Sequence, residues 1–348
     1  MSIGIGIVGC GMIANFHARA IADAAGAHLV GATSRRPEGY QAFAAEHDCK
    51  GYESLEAMLA DDSIQAVSIC TPSGLHMDPA VAAAKAGKHV IVEKPLEITP
   101  ERCDAIIQAC DEAGVRLTVT FQSRFHKSSR LMKQAVQDGR FGKITLGDAY
   151  VKWYRSQEYY DSGAWRGTWK LDGGGALMNQ AIHSVDLLLW LMGPVKQISA
   201  MTATMTHERI EVEDVAVATL QFENGALGVI EATTTAYPGA LKRIEISGSQ
   251  GSAVLEEEDI KAWDFAKETP EDEAIRADMA NKTDGGGGAA DPSSINHYGH
   301  TQLFEEVVSA INEDRPSMLD GHEGRRSVEV ICAIYESAKT GKVVTLGE

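Results

Sequence analysis

The sequence lacks the cysteine patterns that bind metals or build a disulfide framework. Its six cysteines include no CxxC pair and have no His spacing typical of zinc; they are Cys10, Cys49, Cys70, Cys103, Cys110 and Cys332. A chain of 348 residues buries enough apolar surface to be stable without disulfides. We therefore expect reduced thiols, no metal site and a cytoplasmic location.

Long hydrophobic runs are also absent. The longest strongly apolar run, residues 185–192, contains Asp186 and is far shorter than the roughly 20 residues that span a bilayer. The apolar start of the chain has no Lys or Arg before Arg19 and is interrupted by glycines, unlike a secretory signal. We expect a soluble protein with no membrane partner.

Positive charge is scarce. Lys and Arg number 32 against 49 Asp and Glu, a formal net charge of −17, which disfavours nucleic acids and anionic membranes as partners. An apolar fraction of 44% is typical of globular proteins, and the length favours two domains. A small molecule is the expected partner.

The first third of the chain alternates short apolar runs with helical patterns, which predicts an α/β fold with a doubly wound parallel sheet. The predicted strands are Ile3–Val8, Ala27–Thr33, residues 65–70, His89–Val92 and residues 116–120. Helices are predicted over residues 13–24, residues 75–86 and from Pro100 onward. We assign residues 1–122 to this Rossmann-type domain.

The remainder, residues 123–348, predicts an α+β domain with a largely antiparallel open sheet. Alternating runs occupy residues 144–153, 195–205, 212–222 and 226–234, and helices are predicted at residues 176–192, 301–312 and 324–339. Asn224-Gly225 between two such runs is a strong hairpin signal. Residues 284–294 read as a surface loop, and packing of the last helix on the first domain stays open. No predicted helix obviously covers one sheet face, so we expect a homo-oligomer, a dimer or tetramer.

A glycine-rich turn follows the first strand and opens the first helix. Gly9, Gly11 and Ala14 form a GxGxxA pattern, with Met12 and Ile13 between them. Gly9 permits the tight turn, Gly11 lets a pyrophosphate approach the backbone, and the helix N-terminus attracts the phosphates. The pattern predicts a dinucleotide site.

The end of the second strand bears on the choice of cofactor. An acid there binds the ribose 2′-hydroxyl of NAD, whereas an Arg accommodates the 2′-phosphate of NADP. This chain has Ser34, Arg35 and Arg36 and no acid before Glu38. The prediction is NAD(P), with NADP slightly favoured over NAD.

Two polar loops follow the third and fourth predicted strands. Thr71, Pro72 and His76 lie in the first, and Glu93 and Lys94 precede Pro95 in the second. Ligands bind at the carboxyl ends of parallel strands, so we expect these residues near the cofactor. A cis bond before Pro95 would hold the Lys94 backbone in place.

A polar pair lies in the apolar helix of the second domain. Asn179 and His183 are four residues apart, so they share one face of a helix, which is entered through Gly173 to Gly175. A lone His in such a helix is often a core residue. Paired with an amide, it is a candidate acid or base.

These features together resemble the Gfo/Idh/MocA oxidoreductase family, over nearly the whole chain: the GxGxxA turn, TPxxxH, EKP, and the helix-borne Asn and His. Residues 157–161, 165–169 and 178–180 resemble its UDP-N-acetylglucosaminuronate 3-dehydrogenase branch, as do residues 211–214 and Tyr237-Pro238. The resemblance implies NAD(P)-dependent oxidation of a ring hydroxyl, at C3, of a sugar, glycoside, inositol or nucleotide sugar. It implies Lys94 and His183 as the catalytic pair, with Asn179 orienting the hydroxyl.

Further contacts are expected on the same basis. Gln122, Trp165 and Arg166 are expected at the cofactor, and Tyr154, Arg166 and Tyr298 at the substrate. Many members have Asp where this chain has Asn179, and a neutral amide would leave His183 neutral near pH 7. The UDP-N-acetylglucosaminuronate 3-dehydrogenase branch has an acid at the position of Ser34 and uses NAD. This chain departs from that branch, because it has Ser34, Arg35 and Arg36 there.

Two other functions remain open from the sequence. One is a glycosidase that oxidises C3 transiently and needs an additional base, for which Tyr154, Tyr159 and Tyr160 are nominal candidates. The other is a regulator that senses cofactor or sugar without catalysis. Intact Lys94 and His183 favour the dehydrogenase.

Overall fold

The computed structural model describes residues 2–279 and 297–347. The loop predicted at residues 284–294 lies outside these residues. The chain divides into two compact units, one of Met1–Gln122 with Asn296–Val328 and one of Ser123–Ile295 with Glu329–Glu348. In the described residues, no helix has both the length and the hydropathy to cross a bilayer.

The first unit contains a six-stranded, fully parallel sheet in the order β3-β2-β1-β4-β5-β6. Its strands are β1 (Ile3–Val8), β2 (Ala27–Thr33), β3 (Lys50–Tyr52), β4 (Ala66–Ile69), β5 (His89–Val92) and β6 (Leu117–Val119). The helices between them are α1 (Met12–Asp23), α2 (Pro37–Glu46), α3 (Leu55–Leu59), α4 (Met77–Lys85) and α5 (Pro100–Ala113). This order confirms the predicted doubly wound α/β fold.

Local sequence explains which of these elements were predictable. Helix α5 begins as expected, since the Thr99 hydroxyl accepts from the Arg102 N–H at 3.4 Å and Pro100 occupies the first turn. Strand β3 was not predicted, because three residues are too few to show a period. Helix α2 was missed because its first residue, Pro37, follows two arginines that read as a turn.

The second unit contains an eight-stranded sheet in the order β13-β12-β11-β7-β10-β9-β8-β14. Its strands are β7 (Ile144–Lys152), β8 (Val195–Ala203), β9 (Val215–Phe222), β10 (Leu227–Thr233), β11 (Arg243–Gly248), β12 (Gly251–Glu256), β13 (Asp259–Phe265) and β14 (Val344–Thr345). All neighbours are antiparallel except β7 and β10. The predicted hairpin is confirmed between β9 and β10, with Gly225 at φ +84°.

Helix α8 (Ile182–Met192) packs on one face of this sheet, against β7 and β11. Helix α6 (Lys127–Gln137) contacts α8 and β12, and α9 (Pro270–Met279) contacts β13. The short helix α7 (Gln157–Asp161) follows β7 in the chain. On the other face, alternate residues of four neighbouring strands expose large apolar side chains: Leu146, Met201, Val217 and Leu227. We call these four residues the open-face patch.

The last helices are divided between the two units. Helix α10 (Tyr298–Asn312) packs against α1, and the Val119 N–H donates to the Leu319 carbonyl at 2.8 Å, so residues 296–328 belong to the first unit. The sequence analysis assigned residues 123–348 to the second domain and left open that the last helix packs on the first. Helix α11 (Gly321–Thr340) begins in the first unit and ends in the second.

The predicted helix over residues 176–192 has two parts. Ala176–Ala181 form a wide, π-helical turn, and α8 follows as a regular α-helix that ends at Gly193. Asp186, the one acid in its apolar run, is buried and paired with the buried Arg124, whose Nε and Nη2 donate to the carboxylate at 2.8 and 2.6 Å. A paired charge is tolerated there because its hydrogen bonds offset the cost of burial.

Candidate active site

The turn after β1 contains Gly9 and Gly11, and the structure gives a different reason for glycine at each position. Gly9 has φ +94°, and a Cβ there would lie 2.8 Å from the Cys70 carbonyl oxygen, so the backbone itself requires glycine. A Cβ on Gly11 would meet no atom of the chain within 4 Å. The space beside Gly11 is therefore open to a ligand.

Helix α1 starts at this open space. Gly11 is its N-cap, no side chain caps the helix, and no acid occupies its first turn. Met12 is half exposed and Ile13 is partly buried, while Ala14 is fully buried against the sheet. Uncapped N–H groups with the helix dipole behind them suit a diphosphate, so these residues fit a dinucleotide.

The turn between β2 and α2 carries the residues expected to select the cofactor. The Ser34 hydroxyl donates to the Arg36 carbonyl at 3.0 Å, which closes the turn. Arg35 and Arg36 are both exposed. The turn therefore displays two guanidinium groups at the carboxyl end of β2, with no acid on that strand end.

His76 links the two polar loops of the first unit. Its buried ring places Nδ1 2.9 Å from the Pro95 carbonyl and Nε2 2.9 Å from the Thr71 carbonyl. Both partners are acceptors, so the ring donates to one as a neutral imidazole and to both as an imidazolium. His76 therefore holds the two loops together, and the cofactor contact expected from the sequence remains a prediction.

The loop after β5 contains Lys94, joined to Pro95 by a cis peptide bond, as the sequence suggested. The neighbouring Glu93 is buried, and its carboxylate accepts from the Lys94 N–H at 3.2 Å and pairs with His17 Nε2 at 2.8 Å. His17 Nδ1 lies 2.8 Å from the Ser68 hydroxyl. The backbone of Lys94 is thus anchored to a buried ion pair.

The environment favours the charged forms of both partners. Burial acts to lower the pKa of His17, but Cys70 and Glu93 raise it to about 10. Burial acts to raise the pKa of Glu93, but the hydrogen bond and charge of His17 lower it to about 2. The result is an imidazolium paired with a carboxylate.

His300 adds a third ionisable side chain to this cluster. The ligand atoms of His17, Glu93 and His300 lie within 4.8 Å of one another, a spacing that could hold a metal ion. However, two ligands of a tetrahedral zinc lie roughly 3.3 Å apart, given Zn–N and Zn–O bonds of about 2.0–2.1 Å. The 2.8 Å contact between His17 and Glu93 is shorter, so we assign it as a direct ion pair.

Gln122 and Tyr298 are the remaining first-unit predictions. Gln122 follows β6, and its buried side-chain oxygen has no hydrogen-bond partner within the described part of the chain. A buried acceptor of this kind suits a ligand N–H. Tyr298 begins α10 and is exposed. The expectation that it contacts substrate remains a prediction.

In the second unit, two guanidinium groups flank one tyrosine ring. Arg166 donates to the Tyr159 hydroxyl at 2.7 Å and lies 4.2 Å from the centre of that ring and 4.5 Å from the Trp165 ring. The buried Arg155 lies 5.5 Å from the Tyr159 ring, and its Nε donates to Gln180 at 3.1 Å. Two cations are therefore held close together by aromatic and amide contacts.

Asn179 and His183 lie on either side of the change from π to α geometry. Asn179 is in the wide turn and His183 is in the first turn of α8, so regular α-helical spacing does not join them. The Asn179 amide donates to Asp172 Oδ1 at 2.5 Å and accepts from Gln180 at 2.9 Å. A carboxylate from the preceding loop thus holds the Asn179 amide in place.

A loop of unusual acidity supports this part of the molecule. Residues 204–214, between β8 and β9, are called the acidic loop here. In it, Glu211 accepts from the Trp169 N–H at 3.0 Å and donates its own N–H to the Gly167 carbonyl at 2.8 Å. Asp214 is buried and accepts from the backbone N–H groups of residues 205–207. The loop is braced internally and holds the segment that contains Arg166.

Tyr154 is partly buried, and its ring meets the exposed Tyr237 edge-on at 5.2 Å.

Sequence reasoning missed His17, Arg155 and Asp172. Only burial and pairing mark them, and neither is visible in spacing: His17 lies in a helix of ordinary composition, and Arg155 follows two aromatics. Asp172 directly precedes the three glycines, which was the one signal available.

Comparison with known proteins identifies the family to which this chain belongs. Residues 3–121 match the model of an oxidoreductase family with an NAD-binding Rossmann fold, and residues 129–254 match the GFO/IDH/MocA C-terminal domain. The chain belongs to the Gfo/Idh/MocA family. Its first unit is thus the family's NAD-binding domain, and the predicted family is confirmed.

Three relatives illustrate the range of this family. The WlbA dehydrogenase from Bordetella pertussis, solved with NADH and UDP-GlcNAcA, is 39% identical with a TM-score of 0.91, over 100% of this chain and 98% of that one. A myo-inositol 2-dehydrogenase of Thermotoga maritima is 30% identical over 71% of this chain and 73% of its own. A levoglucosan dehydrogenase of Pseudarthrobacter phenanthrenivorans is 29% identical over 82% and 81%.

This Gfo/Idh/MocA chain is an oxidoreductase that acts on a sugar-type hydroxyl and binds a nicotinamide dinucleotide. The open Gly11 cradle, the uncapped start of α1 and the buried Gln122 oxygen fit that cofactor. All three lie in the first unit. Asn179, His183, Arg155 and Arg166 lie in the second unit.

Replacing His17 with Gln tests the buried ion pair through pH. The raised pKa of His17 means that its contribution to stability is complete below its ordinary value, about 6.5, and is lost as pH rises through about 10. The urea midpoint of the native protein should fall across this window, and that of His17→Gln should start lower and fall less. His28→Gln, at an exposed His, is the control. Parallel curves for native protein and His17→Gln would contradict the pairing.

Proposed function

We propose that this enzyme oxidises the C3 hydroxyl of a UDP-linked N-acetylglucosaminuronate with a nicotinamide cofactor. The similarity to the WlbA dehydrogenase, at 39% identity over the whole chain, supports this substrate. So do the segments 157–161, 165–169 and 178–180, which carry the resemblance to that branch. In the second unit these segments converge around Tyr159, Arg166 and Asn179.

The observation that carries the proposal is the pair of arginines around Tyr159. Within residues 2–279 and 297–347, Arg166 forms a hydrogen bond to Tyr159 and ring contacts but no ion pair with a carboxylate. A guanidinium binds a carboxylate or phosphate through paired N–H donors. A nucleotide-linked uronate carries both kinds of anion, whereas inositols and levoglucosan carry neither.

The catalytic roles follow from the side chains. His183, partly exposed at the start of α8, accepts the hydroxyl proton, and the Asn179 amide orients the hydroxyl. Lys94 stabilises the developing alkoxide with its charge. Gly11 and the start of α1 would hold the nicotinamide cofactor, which would supply the hydride acceptor. Arg166 and Trp165 are assigned to contacts with cofactor or substrate, and Tyr154 to substrate.

Cofactor choice is assigned to the turn after β2. We propose that Arg35 and Arg36 admit NADP beside NAD, and that Ser34 shapes the turn through its bond to Arg36. The exposed guanidinium groups and the absence of an acid support NADP, whereas the NADH-bound relative supports NAD.

The open-face patch supports an oligomer. Its four large apolar side chains are between 41% and 81% exposed, an arrangement that marks interaction sites more often than free surface. We propose that a second copy of the chain covers this patch.

Sedimentation should show a dimer or tetramer that Val217→Glu dissociates, and a native monomer would refute the assignment.

Lys94→Ala tests the function. Loss of the charge that stabilises the alkoxide should lower kcat for UDP-N-acetylglucosaminuronate by about 10²–10³-fold, since removing one group that stabilises a developing oxyanion costs about that much. The thermal midpoint and the Kd for NADH should stay close to the native values. Lys85→Ala, an exposed lysine of α4, is the control.

The same assay separates the alternatives. Native-like turnover by Lys94→Ala would overturn the assignment of Lys94. Activity on inositols or levoglucosan, with none on the nucleotide uronate, would overturn the substrate. Net hydrolysis of a glycoside without accumulation of NADH would indicate the glycosidase. Cofactor binding without turnover of any of these compounds would indicate the regulator.

The double variant Arg35→Ala, Arg36→Ala tests the cofactor assignment. A hydrogen bond to a charged group contributes about 1.5–3 kcal/mol, so KM for NADP should rise by about 10- to 100-fold. KM for NAD should change less than twofold, because NAD has no 2′-phosphate. Arg19→Ala, an exposed arginine of α1, is the control. Equal changes for the two cofactors would show that these arginines do not read the 2′-phosphate.

A further inference from the structure

Two of the three glycines before Asn179 are required by a neighbouring pair of side chains. A Cβ on Gly174 would lie 2.1 Å from the Tyr335 hydroxyl oxygen, and one on Gly175 would lie 1.8 Å from the Glu213 carbonyl oxygen. Both distances are far below contact. The glycines are therefore present because Glu213 and Tyr335 occupy the space at the entrance to the wide turn.

Glu213 binds this entrance through both its side chain and its backbone. Its carboxylate accepts from the N–H groups of Gly175 at 3.0 Å and Leu177 at 2.8 Å. Its carbonyl accepts from the Ala176 N–H at 3.1 Å. Three successive backbone N–H groups, which the turn itself leaves without partners, are thus satisfied by one residue.

Tyr335 completes the arrangement from helix α11. Its hydroxyl donates to the Glu213 carboxylate at 3.0 Å, and its ring meets Trp169 edge-on at 5.2 Å. Trp169 belongs to the segment that contains Arg166, and Glu211 of the acidic loop binds its N–H. Tyr335 therefore contacts both the support of the catalytic turn and the arginine segment.

The position of this pair along the chain matters for catalysis. The Asn179 N–H donates to the Gly175 carbonyl at 3.1 Å. That carbonyl belongs to the same peptide group as the Ala176 N–H, which donates to Glu213. His183 follows in the first turn of α8. π-helical turns are rare, and single ones within α-helices are frequent at functional sites. The geometry of this turn depends on what fixes its entrance.

We propose that Glu213 and Tyr335 are positioning residues for the hydride-transfer step: together they fix the wide turn so that Asn179 and His183 meet the substrate hydroxyl in a productive geometry. This inference rests on the proposed function. Neither residue contacts the reacting atoms in it. Their effect reaches the substrate through the backbone of residues 175–179.

The burial of Glu213 is consistent with this role. Its side chain is almost fully buried, and burial raises the pKa of this carboxyl to about 7 against the opposing effect of the hydrogen bonds from Leu177 and Gly175. Keeping a carboxyl in such a place costs stability. The chain accepts this cost at the entrance to its catalytic turn.

Tyr335→Phe is the principal test, because it removes one hydroxyl and keeps the ring against Trp169. Small displacements of catalytic groups can lower rates a hundredfold. We expect kcat for UDP-N-acetylglucosaminuronate to fall about 10- to 100-fold, with KM for NAD within twofold of native. A primary isotope effect with C3-deuterated substrate should be equal to or larger than that of the native enzyme. Glu213→Gln should act in the same direction.

Asp272→Asn is the matched control from the same unit. Asp272 is a buried carboxylate that accepts from the Trp263 indole at 2.7 Å and the Thr269 N–H at 2.6 Å, remote in sequence from the catalytic turn. It should lower the thermal midpoint and leave kcat within twofold of native. If Tyr335→Phe changes kcat no more than Asp272→Asn does, the pair is structural only and the proposal is overturned.

Hydrogen exchange gives a second readout that needs no substrate. Amides of residues 176–183 should exchange at least several-fold faster in Tyr335→Phe and at the native rate in Asp272→Asn. Unchanged exchange in Tyr335→Phe would overturn the proposal even if Glu213→Gln failed to fold. Failure of the proposed function looks different: the native enzyme would turn over none of the sugars, while the exchange result would still decide whether the pair fixes the turn.

Discussion

Backbone N–H groups that are buried where a wide turn begins must find acceptors outside that turn, and the contacts around the Asn179 turn follow from this requirement. Glu213 supplies the acceptors. Its close approach leaves room only for glycine at position 175, and the Tyr335 hydroxyl does the same at position 174. The acidic loop that carries Glu213 also carries Glu211, which binds the segment containing Arg166. One loop therefore supports both the proposed acid–base turn and the proposed anion-binding arginines.

The first unit solves a similar problem with a different pair of groups. Glu93 fixes the backbone of Lys94, and a buried Glu is stable as an anion there because His17 faces it. His76 connects the Thr71 and Pro95 carbonyls across two loops. The acids that give this chain its charge of −17 thus include several internal anchors. The cations assigned to ligands, such as Arg166, are held by aromatic rings and amides instead.

The sequence predicted what depends on short-range pattern. Strands β1, β2 and β5 follow from periodicity, and the β9–β10 hairpin follows from Asn-Gly. The wide turn at Ala176–Ala181 could not be predicted, because π and α geometry share an apolar pattern and differ through contacts with Glu213 and Tyr335. His17 and Asp172 were missed for the same reason. Their roles arise from partners 76 and 7 residues away.

The proposed reaction transfers a hydride from C3 of a nucleotide-linked uronate to the nicotinamide ring. The most direct measurement is mass spectrometry of the cofactor after the native enzyme has turned over UDP-N-acetylglucosaminuronate that carries deuterium only at C3. We expect the deuterium to appear in the reduced nicotinamide and the sugar product to be a 3-ketone without label. Reduced cofactor without deuterium, together with a product that retains it, would contradict the account.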